Sequence, residues 1–258
     1  MIPKIIHYCW FGRGEMPKLI KKCIKSWKKF CPDYKIMLWN EDSFDINSTI
    51  WTKQAYEAKK YAFVADYVRL YALYNHGGIY LDTDQQLIKK IDCFTEHKAF
   101  MGFIGDTDIS MGIIGAEKAH PFISNLLSYY DNRRFILNDG MLDIVPNTDI
   151  ATEILKNYGF VPINSRQTVM DIEIYPKVVF CPYSVYEYKH YSKKETYALH
   201  LWAMSWRTDK AKKDFARVRR HQTKWYRFFE KLRYLPNRLA RRIFGNNTMD
   251  NIKRKIKK

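Results

Sequence analysis

The segment at residues 62–84 constrains the fold most strongly, because an apolar helix pattern runs into a Gly-Gly pair and a short apolar strand. Asp66 and Arg69 are the only acidic or basic residues in the helix pattern. Residues three apart share one helical face, so these two side chains either form a structural ion pair or hold a ligand. The glycines supply a tight turn into the strand at 79–81. The segment therefore predicts a buried helix followed directly by a buried strand.

Strands and helices alternate along most of the chain. This alternation is typical of an α/β fold whose mostly parallel sheet is covered on both faces. At 258 residues the chain can form one core of good size, or one domain with an appendage. The predicted strands are 5–10, 35–39, 79–81, 100–104, 112–115, 178–181 and 197–202, and the predicted helices are 17–30, 52–75 (continuous or broken near residue 61), 122–130 and 150–158.

Charge divides the chain into two parts. Residues 207–258 contain 19 Lys and Arg against 4 Asp and Glu, whereas residues 1–206 contain 25 against 23. The net charge of +17 therefore comes mainly from the C-terminal part. We predict a near-neutral folded domain at 1–206 and a basic, amphipathic helical tail at 207–258.

The cellular setting is predicted from three features. Five widely spaced cysteines without a C-x-x-C pair favour buried free thiols in a reducing compartment. No run of 18 apolar residues is available to cross a bilayer, and the N-terminus lacks the basic-then-apolar order of a signal peptide. A cytoplasmic setting is expected.

Two acidic residues, Asp82 and Asp84, follow the strand at 79–81. The C-terminal ends of strands in open α/β sheets are where ligands bind. Carboxylates at i and i+2 point to the same side of an extended chain, and oxygen ligands favour Mg²⁺ or Mn²⁺. The same tripeptide recurs at 106–108, but without a buried charged helix before it. We therefore predict a metal site at the first copy and a loop, solvated or near an acceptor, at the second.

Several motifs together resemble glycosyltransferase family 32. They are I-I-H-Y-C-W-F-G at residues 5–12, the D-x-x-R of the helix, G-G-x-Y-x-D-x-D at 77–84, I-G-A-E-K-x-H-P at 114–121 and H-x-W-x-x-S-W at 200–206. The family includes yeast-type initiating mannosyltransferases, α-galactosyltransferases, bacterial polysaccharide enzymes and the core of the clostridial glucosylating toxins. The resemblance implies a GT-A-like, Rossmann-type nucleotide-sugar-binding catalytic domain at 1–206. It also implies retaining, metal-dependent transfer of a hexose.

The resemblance implies roles for the charged residues. Asp66 resembles the carboxylate that binds donor sugar or ribose hydroxyls, and Arg69 resembles the cation beside the diphosphate. Asp82 and Asp84 match the acids that contact the ribose and the metal. His200 matches a late side chain on the metal or diphosphate, with a satisfied core position as its alternative. Catalytic roles are thus implied for the first four residues, and metal binding for Asp82, Asp84 and His200.

The remaining donor-binding residues implied by the resemblance are mostly aromatic. An indole stacks well on a nucleotide base, and Trp10 matches the residue that does so. A place in the hydrophobic core is the alternative for Trp10 and Trp202, and His7 is expected to be a core residue. The further implied donor-binding residues are Tyr80, Trp202, Ser205 and Trp206.

The implied partners are a nucleotide-sugar donor and a saccharide acceptor. A UDP-hexose is the favoured donor, and GDP-mannose is the alternative. The expected acceptor is a saccharide, carried on a lipid, in the synthesis of a bacterial capsule or other surface polysaccharide. Family members often carry an Asn-rich stretch where this chain has D-I-S-M at residues 108–111, so the chain departs from the family pattern in a segment expected to face the acceptor.

The basic tail has apolar residues near helical spacing. Such a pattern is typical of a helix on an anionic membrane surface, here the inner face of the bacterial cytoplasmic membrane. Packing of the apolar stripe on the domain is the alternative. A basic nucleic-acid-binding protein is the alternative from another functional class, but it would leave Asp66 and Arg69 unexplained, so no nucleic acid is expected. The predicted membrane-binding residues are Trp225, Phe228, Phe229, Leu232, Arg238, Arg241 and Arg242.

Overall fold

The structure is a computed structural model that describes residues 1–183, 192, 194–203 and the single positions 213, 214 and 217. Several residues with predicted roles lie outside the described part of the chain. They are the donor-binding candidates Ser205 and Trp206 and the membrane-binding candidates Trp225, Phe228, Phe229, Leu232, Arg238, Arg241 and Arg242.

Helices and strands alternate as predicted. The strands are β1 (Ile5–Cys9), β2 (Lys35–Trp39), β3 (Gly78–Leu81), β4 (Gln85–Leu87), β5 (Ala99–Phe103), β6 (Ile109–Ala116), β7 (Gln167–Val169), β8 (Ile172–Tyr175) and β9 (Ala198–His200). The helices are α1 (Lys18–Phe30), α2 (Ile50–Glu57), α3 (Tyr61–His76), α4 (Pro121–Ser128), α5 (Asn147–Lys156) and α6 (Lys177–Phe180). The predicted helix at 52–75 is therefore the broken alternative.

One predicted element has the wrong type. The strand predicted at 178–181 is wrong, because this segment lies mainly in the single-turn helix α6. Pro176 precedes α6 with φ −56°, and its ring fixes φ near the helical value. A four-residue apolar run is too short for its periodicity to distinguish a strand from a helix.

Seven strands form the central sheet in the order β2-β1-β3-β6-β5-β8-β7. Parallel pairing joins β2 to β1, β1 to β3 and β5 to β8, whereas β6 runs antiparallel to β3 and β5, and β7 runs antiparallel to β8. Five strands therefore share one direction and two oppose it. The prediction of a mostly parallel sheet in an α/β fold is confirmed, and the inserted antiparallel strand β6 is a feature that the prediction lacks.

Helices cover both faces of this sheet, and β3 shows how. Its Tyr80 packs in one cluster with α3 residues such as Val68. Ile79 and Leu81 point to the other face and pack in a second cluster with Trp27 of α1. All five side chains are at most 2 % exposed. Burial of apolar side chains on both faces holds β3 rigid, which fixes the position of the residues that follow it.

The thiols agree in part with the prediction. All five cysteines are free; Cys93 is exposed, and the other four are buried as expected. None of the helices in the described part of the chain is both long enough and apolar enough to cross a membrane.

Candidate active site

Helix α3 brings Asp66 and Arg69 together on one face, as their spacing predicts. Arg69 Nη2 donates to Asp66 Oδ1 at 2.9 Å and lies 3.4 Å from Asp82 Oδ1. Arg69 Nη1 donates to the carbonyl oxygen of Met111 at 2.6 Å. The Arg69 side chain is only 8 % exposed. One guanidinium therefore joins α3, β6 and the residue after β3, a use suited to its forked donors.

Burial shapes the electrostatics of these groups. Burial raises the pKa of Asp66 to about 6, and the charge of Arg69 offsets only part of this effect. Burial also raises the pKa of Asp82. The positive charge of Arg69 opposes this rise, and the negative charge of Asp84 adds to it. Although burial disfavours its charge, the neighbouring groups hold the pKa of Arg69 above its ordinary value. Asp66 and Asp82 thus share one guanidinium, and the nearby Asp84 adds a further negative charge, which favours binding of a further cation.

The turn between α3 and β3 delivers Asp82 to this site. Gly77 and Gly78 adopt positive φ angles of 63° and 107°, which glycine tolerates. A Cβ on Gly78 would lie 2.7 Å from the Ile5 carbonyl oxygen, so the turn also packs closely on β1. Past β3, the Asp82 N–H donates to the carbonyl oxygen of Gly112 at 2.8 Å. Sheet pairing therefore continues into the first residue of the D-x-D motif.

His7 holds the same turn from the core, as expected. Because a carbonyl only accepts, His7 Nε2–H donates to the Gly77 carbonyl oxygen at 2.8 Å. His7 Nδ1 accepts from Trp39 Nε1 at 3.1 Å. Burial lowers the pKa of His7 to about 4, so the ring is neutral near pH 7.

Asp84 and His200 meet through a small second sheet. Strand β4 begins directly after Asp84 and pairs antiparallel with β9, which places His200 opposite Gln85. Asp84 Oδ1 lies 3.3 Å from His200 Nε2, and Asp84 Oδ2 accepts from the Ala203 N–H at 2.7 Å. Burial disfavours the charged imidazole, but the adjacent carboxylate raises the pKa of His200 well above its ordinary value.

Asp82, Asp84 and His200 can hold a metal ion. Each offers one ligand atom, and these three atoms lie within 4.8 Å of one another. His200 Nε2 faces Asp84, and His200 Nδ1 is also buried. Two carboxylate oxygens and one imidazole nitrogen suit a divalent cation. The residues present therefore fit the predicted site.

The aromatic candidates lie in different surroundings. Trp10 follows β1, is partly exposed and donates its indole N–H to the Gly14 carbonyl oxygen at 2.7 Å. Since β1 and β3 are parallel, Trp10 and Asp82 follow strand ends at the same sheet edge. The Trp202 ring stacks on His200 at 4.3 Å between centroids and is also partly exposed. Neither indole is in the buried core, and their contact with a donor stays a prediction.

Tyr80 lies behind the site. Its side chain is 2 % exposed, and Arg69 Cζ lies 4.6 Å from its ring centroid. A cation over an aromatic face is attracted to the ring. The structure therefore places Tyr80 as a support for Arg69, and its direct contact with a donor stays a prediction.

The second D-x-D copy lies in the loop between β5 and β6, as predicted. Asp106, Thr107 and Asp108 are exposed. Asp106 forms an ion pair with Lys177, and Thr107 Oγ1 donates to Asp108 Oδ2 at 3.1 Å. Among the described residues, the first copy belongs to a cluster of potential metal ligands and the second copy does not.

Sequence reasoning missed two residues of the site. Gly112 on β6 lies against the Asp82 carboxylate, and Gln85 is a fully buried amide directly after Asp84. The position of Gln85 could have identified it as a site residue, because this polar residue directly follows the D-x-D motif and begins the strand β4. Gly112 gives no such signal, because its contact joins residues far apart in sequence.

Residues 17–101 match the family model for the glycosyltransferase sugar-binding region containing DXD motif. Inositol phosphoceramide mannosyltransferase 3 of Schizosaccharomyces pombe is 27% identical over 216 residues, which cover 79% of this chain and 60% of the relative. Mannosyl phosphorylinositol ceramide synthase SUR1 of Saccharomyces cerevisiae is 29% identical over 143 residues, which cover 53% of this chain and 37% of the relative. The match therefore spans less than two thirds of either relative.

Among solved structures, the PaToxG glycosyltransferase aligns with a TM-score of 0.45 and 21% identity, over 60% of this chain and 69% of that one. A glycosyltransferase involved in glycosylation of the major capsid of PBCV-1 aligns with a TM-score of 0.43 and 11% identity, over 84% of this chain and 100% of that one. The matched region at 17–101 contains Asp66, Arg69, Asp82 and Asp84. This part of the chain is therefore similar to the glycosyltransferase sugar-binding region containing DXD motif.

Proposed function

We propose that this protein is a metal-dependent, retaining glycosyltransferase that moves a hexose from a nucleotide-sugar to a saccharide acceptor. The observation that carries the proposal is the convergence of Asp82, Asp84 and His200 within 4.8 Å, with Arg69 3.4 Å from Asp82. Mn²⁺ or Mg²⁺ would be held by the first three residues. When bound, the cation would neutralise charge on the donor diphosphate.

The surrounding residues would orient the donor. Arg69 places a permanent positive charge beside the acids, where the leaving diphosphate gains negative charge as the sugar bond breaks. Asp66, fixed by Arg69, would bind hydroxyls of the donor sugar or ribose. Trp10 would stack on the base at the same sheet edge. Each role uses a side chain whose position is set by β1, α3 or β3.

Two donors are candidates. The names of the two yeast relatives support a mannosyl donor, and GDP-mannose is the corresponding nucleotide-sugar. A UDP-hexose is the donor that the sequence favours. A ring stacked on Trp10 accommodates either base, so base stacking does not separate them. We place GDP-mannose first because both relatives carry mannosyl names.

The acceptor proposed here is a saccharide or headgroup carried on a lipid. Support comes from the inositol phosphoceramide named for the fission-yeast relative. Bacterial surface polysaccharide synthesis, including capsule synthesis, on the cytoplasmic side of the membrane is the setting that the sequence favours. A peripheral anchor formed by residues 207–258 would bring the enzyme to such an acceptor.

Donor turnover tests the activity. The purified chain is mixed with GDP-mannose, UDP-glucose, UDP-galactose and related donors, with Mn²⁺, with Mg²⁺ or with EDTA, and nucleotide release is measured. We expect release from one donor that EDTA abolishes. Equal release in EDTA would contradict metal dependence. The anomeric configuration of the product, resolved by NMR, tests retention, and an inverted product would end that part of the proposal.

Vesicle binding tests the anchor with the full-length chain. Charge-reversed Arg238→Glu, Arg241→Glu and Arg242→Glu are combined in one variant, and co-sedimentation with anionic and neutral vesicles is compared. Each basic residue near an anionic surface contributes about 1 kcal/mol, so the triple variant should lose most of its binding to anionic vesicles. Unchanged binding would reject the anchor.

A further inference from the structure

Gln85 is a buried amide without a hydrogen-bond partner. Its side chain is 0 % exposed, and neither Oε1 nor Nε2 has a partner among the residues that the structure describes. Buried amides are nearly always hydrogen-bonded, because an unpaired one loses its bonds to water without replacement. Both polar atoms of one side chain are unpaired here, so Gln85 lowers the stability of the protein as it stands.

The backbone of Gln85 is fixed between the acids and His200. Its N–H donates to the Asp82 carbonyl oxygen at 2.9 Å, and its own carbonyl oxygen accepts from Trp27 Nε1 at 2.7 Å. The pairing of β4 with β9 sets Gln85 opposite His200. Gln85 is therefore built into the frame that holds two of the three candidate metal ligands.

The position of Gly112 shows where the amide points. A Cβ on Gly112 would lie 2.8 Å from Asp82 Oδ2 and 3.2 Å from Gln85 Nε2. Both atoms thus border the same small space, which any larger residue than glycine would fill. The other oxygen of this carboxylate, Asp82 Oδ1, faces Arg69 at 3.4 Å. Asp82 therefore lies between a guanidinium on one side and the Gln85 amide on the other.

We propose that Gln85 is a positioning residue for the cation site, whose amide becomes hydrogen-bonded when a divalent cation and the donor diphosphate are bound. Its Nε2–H then donates to Asp82 Oδ2 and fixes the orientation of that carboxylate. Groups that orient metal ligands in this way raise metal affinity. The inference rests on the proposed metal-dependent function, and it predicts a residue that reduces stability without the cation and increases affinity for it.

Gln85→Met tests this trade-off, because methionine has a similar length and no unpaired polar atoms. Thermal unfolding of the full-length protein is measured in EDTA, and Mn²⁺ binding is measured by the EPR signal of the free ion. In EDTA we expect the variant to melt about 2–4 °C higher, the shift for removing one such penalty in a protein of this size. Its Mn²⁺ affinity should fall about tenfold.

Gln86→Met is the matched control. Gln86 is the next residue on β4, its side chain is only partly buried, and successive strand residues point to opposite faces. We expect its melting temperature and Mn²⁺ affinity to equal those of the unaltered protein. If Gln85→Met fails to fold, Gln85→Leu repeats both measurements with a branched apolar side chain.

The outcomes separate this inference from the proposed function. Unchanged Mn²⁺ affinity in Gln85→Met, or a lower melting temperature in EDTA, would overturn the role of Gln85 and leave the metal site intact. An unaltered protein that binds no Mn²⁺ would overturn the metal-dependent function and the inference with it. A higher melting temperature together with weaker Mn²⁺ binding would support both.

Discussion

The same tripeptide, Asp-Thr-Asp, occurs twice in this chain in contrasting surroundings. The first copy, Asp82 to Asp84, follows the buried strand β3, and its acids contact Arg69 and His200. The second copy, at 106–108, lies in an exposed loop. Local sequence is therefore identical, and the difference in chemistry comes from the elements that carry each copy.

Even the ion pairs of the two copies differ in kind. The first acid of each copy has a basic partner, Arg69 for Asp82 and Lys177 for Asp106. The acid Asp82 is 28 % exposed, whereas the acid Asp106 is 79 % exposed; their basic partners Arg69 and Lys177 are 8 % and 26 % exposed. Charges act strongly in a water-poor environment and weakly in solvent. In this chain, the D-x-D copy that is a candidate metal site is the one whose acids the fold places beside Arg69 and His200.

Removal of the two basic partners should show the largest difference. Arg69→Met leaves Asp66 and Asp82 buried without their cation, so we expect a loss of about 3–5 kcal/mol in the free energy of unfolding. Lys177→Met removes a surface ion pair and should cost about 0–1 kcal/mol. Urea denaturation at pH 7 measures both. Similar small losses would show that the first copy is no more buried in solution than the second.

A fall in pH should lower the stability of the protein through protonation of His7, which holds the turn before the first copy. Burial lowers its pKa from 6.5 to about 4, so the unfolded chain takes up a proton first as pH falls. The stability that neutral His7 contributes is present above pH 6.5 and is lost between pH 6.5 and about 4, by roughly 3 kcal/mol in all.

His7→Gln isolates this contribution, because glutamine does not titrate and can donate and accept at the same place. Urea denaturation of both proteins at pH 7, 6, 5 and 4 gives the difference in unfolding free energy. We expect the unaltered protein to lose its advantage over the variant as pH falls. A difference that stays constant with pH would contradict a buried neutral His7.

Two glycines provide a finer comparison of the copies. A Cβ on Gly112 would lie 2.8 Å from Asp82 Oδ2, whereas a Cβ on Gly105 would lie 3.6 Å from Asp108 Oδ2, an ordinary contact. Gly112→Ala should displace the Asp82 carboxylate and weaken Mn²⁺ binding about tenfold, and Gly105→Ala should leave binding unchanged. Mn²⁺ titration by EPR measures both. Equal affinity in the two variants would show that Asp82 does not contribute to the site.

Much of the fold follows from patterns in the sequence. The apolar strands β1, β2 and β3 and the helices α1 and α3 are predicted because their apolar residues recur with clear spacing. The three-residue strands β4 and β7 escape prediction, since Gln-Gln-Leu and Gln-Thr-Val are too short and polar to show a period. The antiparallel direction of β6 depends on long-range pairing, which local patterns do not encode.

The candidate site also has a part that the sequence predicts and a part that it does not. Spacing predicts the meeting of Asp66 and Arg69, and position after a strand predicts Asp82 and Asp84 at the sheet edge. The contact of Arg69 with the Met111 carbonyl oxygen could not be predicted, because it joins a helix to a strand 42 residues later. Contacts of this kind depend on the assembled sheet.

The central claim is that the first D-x-D copy forms the cation site of a glycosyltransferase and the second does not. Asp84→Asn and Asp108→Asn make the same change at matched positions, and Mn²⁺-dependent nucleotide release from the preferred donor measures the result. We predict a loss of roughly 10²- to 10³-fold in Asp84→Asn, comparable to removal of a key electrostatic group, and no change in Asp108→Asn. An active Asp84→Asn enzyme, or an equal loss in both variants, would contradict the account.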